Sequence, residues 1–141
     1  MIEEKIKELE KVKSDYEDKK DEIFHLCDVV LKKIYKLQTE YNKKNRKGLY
    51  LIDKTFDRFE TDRCKILKEG IIEINYYDLD YDCYDARTIE LPPEIFEDDT
   101  KLQKWFDSKV SEFEESIKKD KREKEDQEFQ EYLRLKEKYE N

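Results

Sequence analysis

The sequence predicts an α+β fold in which long N- and C-terminal helices form an antiparallel helical hairpin. A small antiparallel β-rich head of about three strands is inserted between them. Three observations carry this expectation. A 4-3 spacing of apolar residues runs from Ile2 to Tyr41. A second helical periodicity starts after Asp98. Between the two, apolar and polar residues alternate and are punctuated by Gly70 and the pair Pro92-Pro93.

In the first helix Ile2, Ile6, Leu9, Tyr16, Ile23, Cys27, Val30, Ile34, Leu37 and Tyr41 keep one heptad register, with Lys13 and Lys20 as polar interruptions. No Gly or Pro occurs before Gly48, so a helix is predicted over 2–46 with Gly48 as its stop. At about 1.5 Å per residue it extends roughly 65–70 Å. Phe24, Leu26, Val29, Leu31 and Tyr35 widen the apolar stripe of the second half, which predicts packing on several sides. The first half offers only a thin seam.

In the second helix Asp98, Asp99 and Thr100 can cap the start, and Leu102, Trp105, Phe106, Val110, Phe113 and Ile117 form one face. Residues 118–128 contain no apolar side chain; Phe129, Tyr132, Leu133, Leu135 and Tyr139 then resume the pattern weakly. In both helices the half nearer the middle of the chain is the apolar one. An antiparallel pair brings both apolar halves beside the head and sends both charged halves away from it. The stretch 118–128 then stands level with Lys13 and Lys20. A gap in both partners predicts a loosely packed stalk, or seams covered by another chain's helix.

In the head, Arg63–Lys68 and Ile71–Tyr77 are predicted strands around the turn Lys68-Glu69-Gly70, where Gly70 supplies the positive φ. Ala86–Leu91 is the third, ended by prolines that cannot continue a ladder. Residues 49–59 fit either a strand, through Tyr50 and Ile52, or a helical turn, through Phe56 and Phe59. The 141 residues are read as a single domain: long helix 1–47, head 48–98, long helix 99–141.

Charged residues make up 48% of the chain and hydrophobic ones 36%, which leaves a lean core and favours exposed helices. Ten Tyr and seven Phe set it apart from disordered chains, which are poor in aromatics. The net charge of −8 disfavours direct nucleic-acid or membrane-surface binding and suits a basic partner. No apolar run approaches a membrane span, and the charged first residues do not read as a signal peptide. Three widely separated cysteines, Cys27, Cys64 and Cys83, read as reduced thiols of a cytoplasmic protein.

The charge is unevenly spread. Residues 49–100 carry 15 acids against 6 bases, a net of −9, whereas 1–48 is +2 (13 bases, 11 acids) and 101–141 is −1 (11 bases, 12 acids). The acids are densest around Tyr76, Tyr77, Asp78, Asp80, Tyr81, Asp82, Tyr84 and Asp85. Read as a strand, Tyr77, Leu79, Tyr81 and Cys83 face one way and Asp78, Asp80 and Asp82 the other. The carboxylates would then repeat every ~6–7 Å, about the phosphate spacing of a nucleic-acid strand. Tyrosine suits interfaces because its ring is rigid and amphipathic. These eight residues are the predicted binding surface.

Asp78, Asp80 and Asp82 also begin like a calcium loop, but Cys83 stands where that loop needs Gly and Ile89 where it needs a bidentate Glu. No metal or other cofactor is therefore expected. The basic cluster from Lys32 to Lys47 suits the negative end of a helix dipole. His25 falls opposite the seam and is expected in solvent. Nucleophile elbows, P-loops and dinucleotide fingerprints need glycines, and the chain has two. The expectation is a non-enzymatic protein-binding module that uses its acidic head, such as a phage-type inhibitor or nucleic-acid mimic acting on a basic, nucleic-acid-handling host protein. The alternative is a coiled-coil structural or chaperone-like protein that acts through its helices as a homodimer.

The helix–hairpin–helix plan with a charged stalk resembles, in architecture, that of prefoldin-type chaperone subunits, although the head is longer than one short hairpin. The Lys-, Glu-, Ile-, Asp- and Tyr-rich composition is similar to that of accessory proteins of AT-rich bacteria and their phages.

Overall fold

The computed structural model describes residues 1–56, 58–80 and 86–140. The first long helix, α1 (Ile2–Asn45), precedes three strands, β1 (Phe59–Ile66), β2 (Ile72–Asp78) and β3 (Ala86–Leu91); a second long helix, α2 (Asp99–Glu140), follows them. The strands form one antiparallel sheet in the order β1-β2-β3. This is the α+β element plan that the sequence predicts. The chain divides into two compact units, Met1–Gln103 and the part from Lys104 onward.

α1 ends one residue short of the expected boundary, and its stop is not Gly48. Arg46 takes the left-handed conformation at φ 52°, and the backbone N–H groups of Arg46 and Lys47 both return to Asn42 O. Asn42 also holds the chain after the turn. Its Nδ2 donates to Leu49 O at 2.8 Å and its Oδ1 accepts from Leu49 N at 2.9 Å. These bonds offset the cost of a positive φ at a residue with a Cβ.

Residues 46–56 are neither strand nor helix; they form bends and turns pinned by side chains. Gln38 on α1 donates to Ile52 O and accepts from the N–H groups of Leu51 and Ile52, each at 2.9 Å. Asp53 Oδ1 accepts from the N–H and hydroxyl of Thr55. The N–H groups of Leu49, Leu51, Ile52 and Thr55 are thus paired without a ladder.

β1 starts earlier than predicted because it is bulged. Thr61 pairs with Tyr76 and Arg63 with Asn75, leaving Asp62 as the extra residue. A bulge reverses the alternation of the strand beyond it. Phe59 and Thr61 therefore share the inward face with Cys64 and Ile66, opposite Asp78, Tyr76, Ile74 and Ile72 of β2. On β3, Arg87, Ile89 and Leu91 complete that face. In the hairpin turn Gly70 has φ +79°, as expected, and Glu69 also lies in the left-handed region at φ 72°.

The core lies on this inward face. Cys27, Val30, Leu31 and Ile34 of α1 are buried with Leu49, Ile52, Phe56, Phe59, Ile74, Tyr76, Ile89, Leu91, Ile95 and Leu102. The rings of Tyr35, Phe59, Tyr76 and Phe56 make successive tilted or edge contacts at 5.7–5.8 Å. Asp98 caps α2 as predicted, its Oδ1 accepting from Thr100 N and Lys101 N. Lys33 of α1 pairs with Asp99 at 2.7 Å. Further along α2, Phe106 is buried, Trp105, Val110, Phe113 and Ile117 are half-buried, and 118–140 is exposed throughout.

Candidate functional site

β2 places the start of the predicted acidic surface. Its buried residues share the parity of Ile74, so Tyr76 and Asp78 turn inward. The Tyr76 hydroxyl accepts from Asp53 N at 3.1 Å, and burial raises its pKa. Asp78 Oδ1 accepts from Asp80 N at 2.9 Å, while Oδ2 is buried without a hydrogen-bond partner. The expected outward row of carboxylates is corrected at its first member: Asp78 is 5% exposed because the strand phase that buries Ile74 and Tyr76 buries it as well. The strand also ends there, and the chain turns at Leu79 and Asp80.

Tyr77 lies on the opposite face and donates to Glu60 Oε2 at 3.2 Å. Burial first, and the Glu60 carboxylate second, push its hydroxyl pKa up. Asp80 accepts from Arg58 through Nε at 2.9 Å and Nη2 at 2.7 Å, a fork that holds the guanidinium pKa above its usual value. Tyr81, Asp82, Tyr84 and Asp85 lie outside the described residues. Among the described residues no three His, Cys, Asp or Glu side chains gather as metal ligands would.

The apolar side chains of the helices present a different surface. Along α1, Ile2, Leu9 and Tyr16 are 72%, 68% and 63% exposed, and Ile6, Val12 and Ile23 also face solvent. Phe129, Tyr132, Leu133, Leu135 and Tyr139 are exposed along the end of α2. Beside Ile23 the α1 seam runs into an open apolar groove of about 390 Å³, lined by Leu26, Cys27, Cys64, Ile66, Ile72 and Phe96 among others. Ile66, on the inward face of β1, is 75% exposed there. The basic residues from Lys32 to Lys47 and His25 are exposed, as their register predicts. No helix is long and apolar enough to cross a membrane among the described residues.

Sequence reasoning misses three features of this region. Gln38 is a buried anchor; its signal is the run Cys27, Leu31, Ile34, Gln38, which keeps 3.6-residue rather than 3.5-residue spacing. Asp53 gathers Thr55, Tyr76 and Arg87, and a lone Asp in a loop announces none of this. The meeting of Cys27 and Cys64 depends on the bulge at Asp62, which no residue type marks. Protein-family models, curated proteins and solved structures yield no match to this chain.

Proposed function

We propose that this chain is a non-enzymatic protein-binding module that assembles with further copies of itself through the uncovered seams of its helices. The observation that carries the reading is the exposure of Ile2, Ile6, Leu9 and Tyr16 at heptad spacing along α1. Fully burying an Ile or Leu side chain is worth about 1.5–3 kcal/mol, and an isolated seam forgoes most of it at Ile2 and Leu9 and about half at Ile6. Lys13 and Lys20 at seam positions weaken the pairing and fix its register, as polar residues in coiled coils do. A cytoplasmic setting and the absence of a cofactor belong to the same reading.

A second reading is favoured by the charge distribution: 15 acids against 6 bases in residues 49–100. On that reading the head binds a basic protein that handles nucleic acid, in the manner of a phage-type inhibitor. Tyr77, Asp80, Tyr81, Asp82, Tyr84 and Asp85 are its candidate contacts.

A capture experiment from nuclease-treated bacterial lysate separates the two. The proteins to compare are the wild type, an Ile6→Ser/Leu9→Ser variant, and an Asp80→Asn/Asp82→Asn/Asp85→Asn variant. Asp78 is left intact because it is buried. Self-association lost only in the seam variant supports assembly through the helices. A basic partner lost only in the Asp variant, with self-association absent throughout, replaces it by the acidic-head reading.

A further inference from the structure

The inward face of β1 and the buried face of α1 bring together two thiols that the sequence holds far apart. Asp28 and Thr61 fix the approach: Asp28 Oδ1 accepts the Thr61 N–H at 2.8 Å and its hydroxyl at 2.6 Å. Cys27 adjoins Asp28 on the helix. The bulge at Asp62 turns Cys64 to the same side as Thr61. Both cysteines line the same apolar groove next to Ile23. Cys27 is 2% exposed, whereas Cys64 is only half-buried.

We propose that Cys27 and Cys64 form a dithiol site that reacts with small-molecule disulfides and closes into an intramolecular disulfide joining α1 to β1. Cys64 acts first because a reagent reaches it through the groove. Its thiolate attacks one sulfur of the reagent R–S–S–R, that S–S bond breaks, and RS⁻ leaves. The Cys27 thiol then loses its proton and attacks Cys64 Sγ, expelling the second RS⁻. Two electrons pass from the protein dithiol to the reagent, and the two cysteine protons end on the two RSH molecules. Burial first, and the neighbouring Cys64 second, push the Cys27 thiol up to about 12, so the second step is slow near neutrality and quickens as pH rises. The closed form ties the helix to the sheet beside the groove and restricts the unfolded chain.

The test treats the folded full-length chain with oxidised glutathione at mildly alkaline pH, then blocks free thiols, digests with trypsin without reduction, and identifies linked peptides by mass. The expected product joins the peptide 21–32, which holds Cys27, to the peptide 64–65, which holds Cys64. It should form faster in the native chain than in urea and faster as pH rises, and Cys83→Ser should leave it intact. Closure should raise the melting temperature by several degrees, reversed by dithiothreitol. The proposal is overturned if Cys64 stops at the mixed disulfide with glutathione, if either thiol links to Cys83 instead, if no thiol reacts, or if the Cys27–Cys64 link forms only in urea.

Discussion

Oδ1 of Asp28, on α1, accepts both the backbone N–H and the hydroxyl of Thr61, on β1, at 2.8 and 2.6 Å. The two bonds fasten the helix to the strand one residue before the bulge that rephases it. A charged acceptor with two donors is worth more than a neutral pair, about 1.5–3 kcal/mol per bond. Asp28→Ala is therefore expected to lower the unfolding free energy by about 2–4 kcal/mol. Chemical denaturation reads this directly, and a loss under about 0.5 kcal/mol, the size of an ordinary surface change, would show that the contact is idle.

Gln38 is expected to be the least replaceable polar residue of α1. It serves Ile52 O, Ile52 N and Leu51 N at once. Gln38→Leu keeps the volume and strands these groups, at about 1–3 kcal/mol for each that stays dry. A loss of 3 kcal/mol or more is expected by urea denaturation. Asn42→Leu, at a half-buried site serving only Leu49, should cost less.

Acid should weaken the head through Asp53. The Thr55 N–H, then the Thr55 hydroxyl and Arg87, hold its carboxyl below the usual range, with burial opposing them. A depressed folded-state pKa contributes stability that is present above the unfolded value of about 3.9 and is lost as pH falls through the lower folded value. The melting temperature of the wild type should fall more steeply than that of Asp53→Asn over this acid window. Parallel curves would remove Asp53 from the acid response.

Alkali should act through Tyr76, whose hydroxyl burial pushes upward. A raised folded-state pKa gives stability that is complete below the unfolded value of about 10 and is lost as pH rises through the folded one. Tyr76→Phe should flatten that alkaline loss. It should also cost about 1–2 kcal/mol at neutral pH, because Asp53 N loses its acceptor. Melting curves across the alkaline range test both effects.

Much of the element plan was legible because it rests on periodicity. The heptad run announces α1, Asp98 announces the start of α2, and the prolines announce the end of β3. The errors fall where a backbone irregularity has no residue signature. Arg46 rather than a glycine adopts the left-handed stop. Asp62 is an ordinary polar residue in a strand, yet as a bulge it moves the start of β1 and turns Cys64 inward. The candidate site was legible only in charge. The cluster of aspartates is plain in the sequence, but whether a given aspartate faces water follows from strand phase and strand end, and Asp78 shares the phase of Ile74. The apolar seam reads the other way: its spacing predicts burial in a partner, and Ile2, Leu9 and Tyr16 stand exposed in the single chain.

The most direct test is the solution mass of the full-length chain by sedimentation velocity across micromolar concentrations. Assembly through the helices predicts a species of at least two chains, shifted to the monomer by Ile6→Ser/Leu9→Ser and left in place by Asp80→Asn. A monomer at every concentration, or an oligomer indifferent to the seam substitutions, would contradict it.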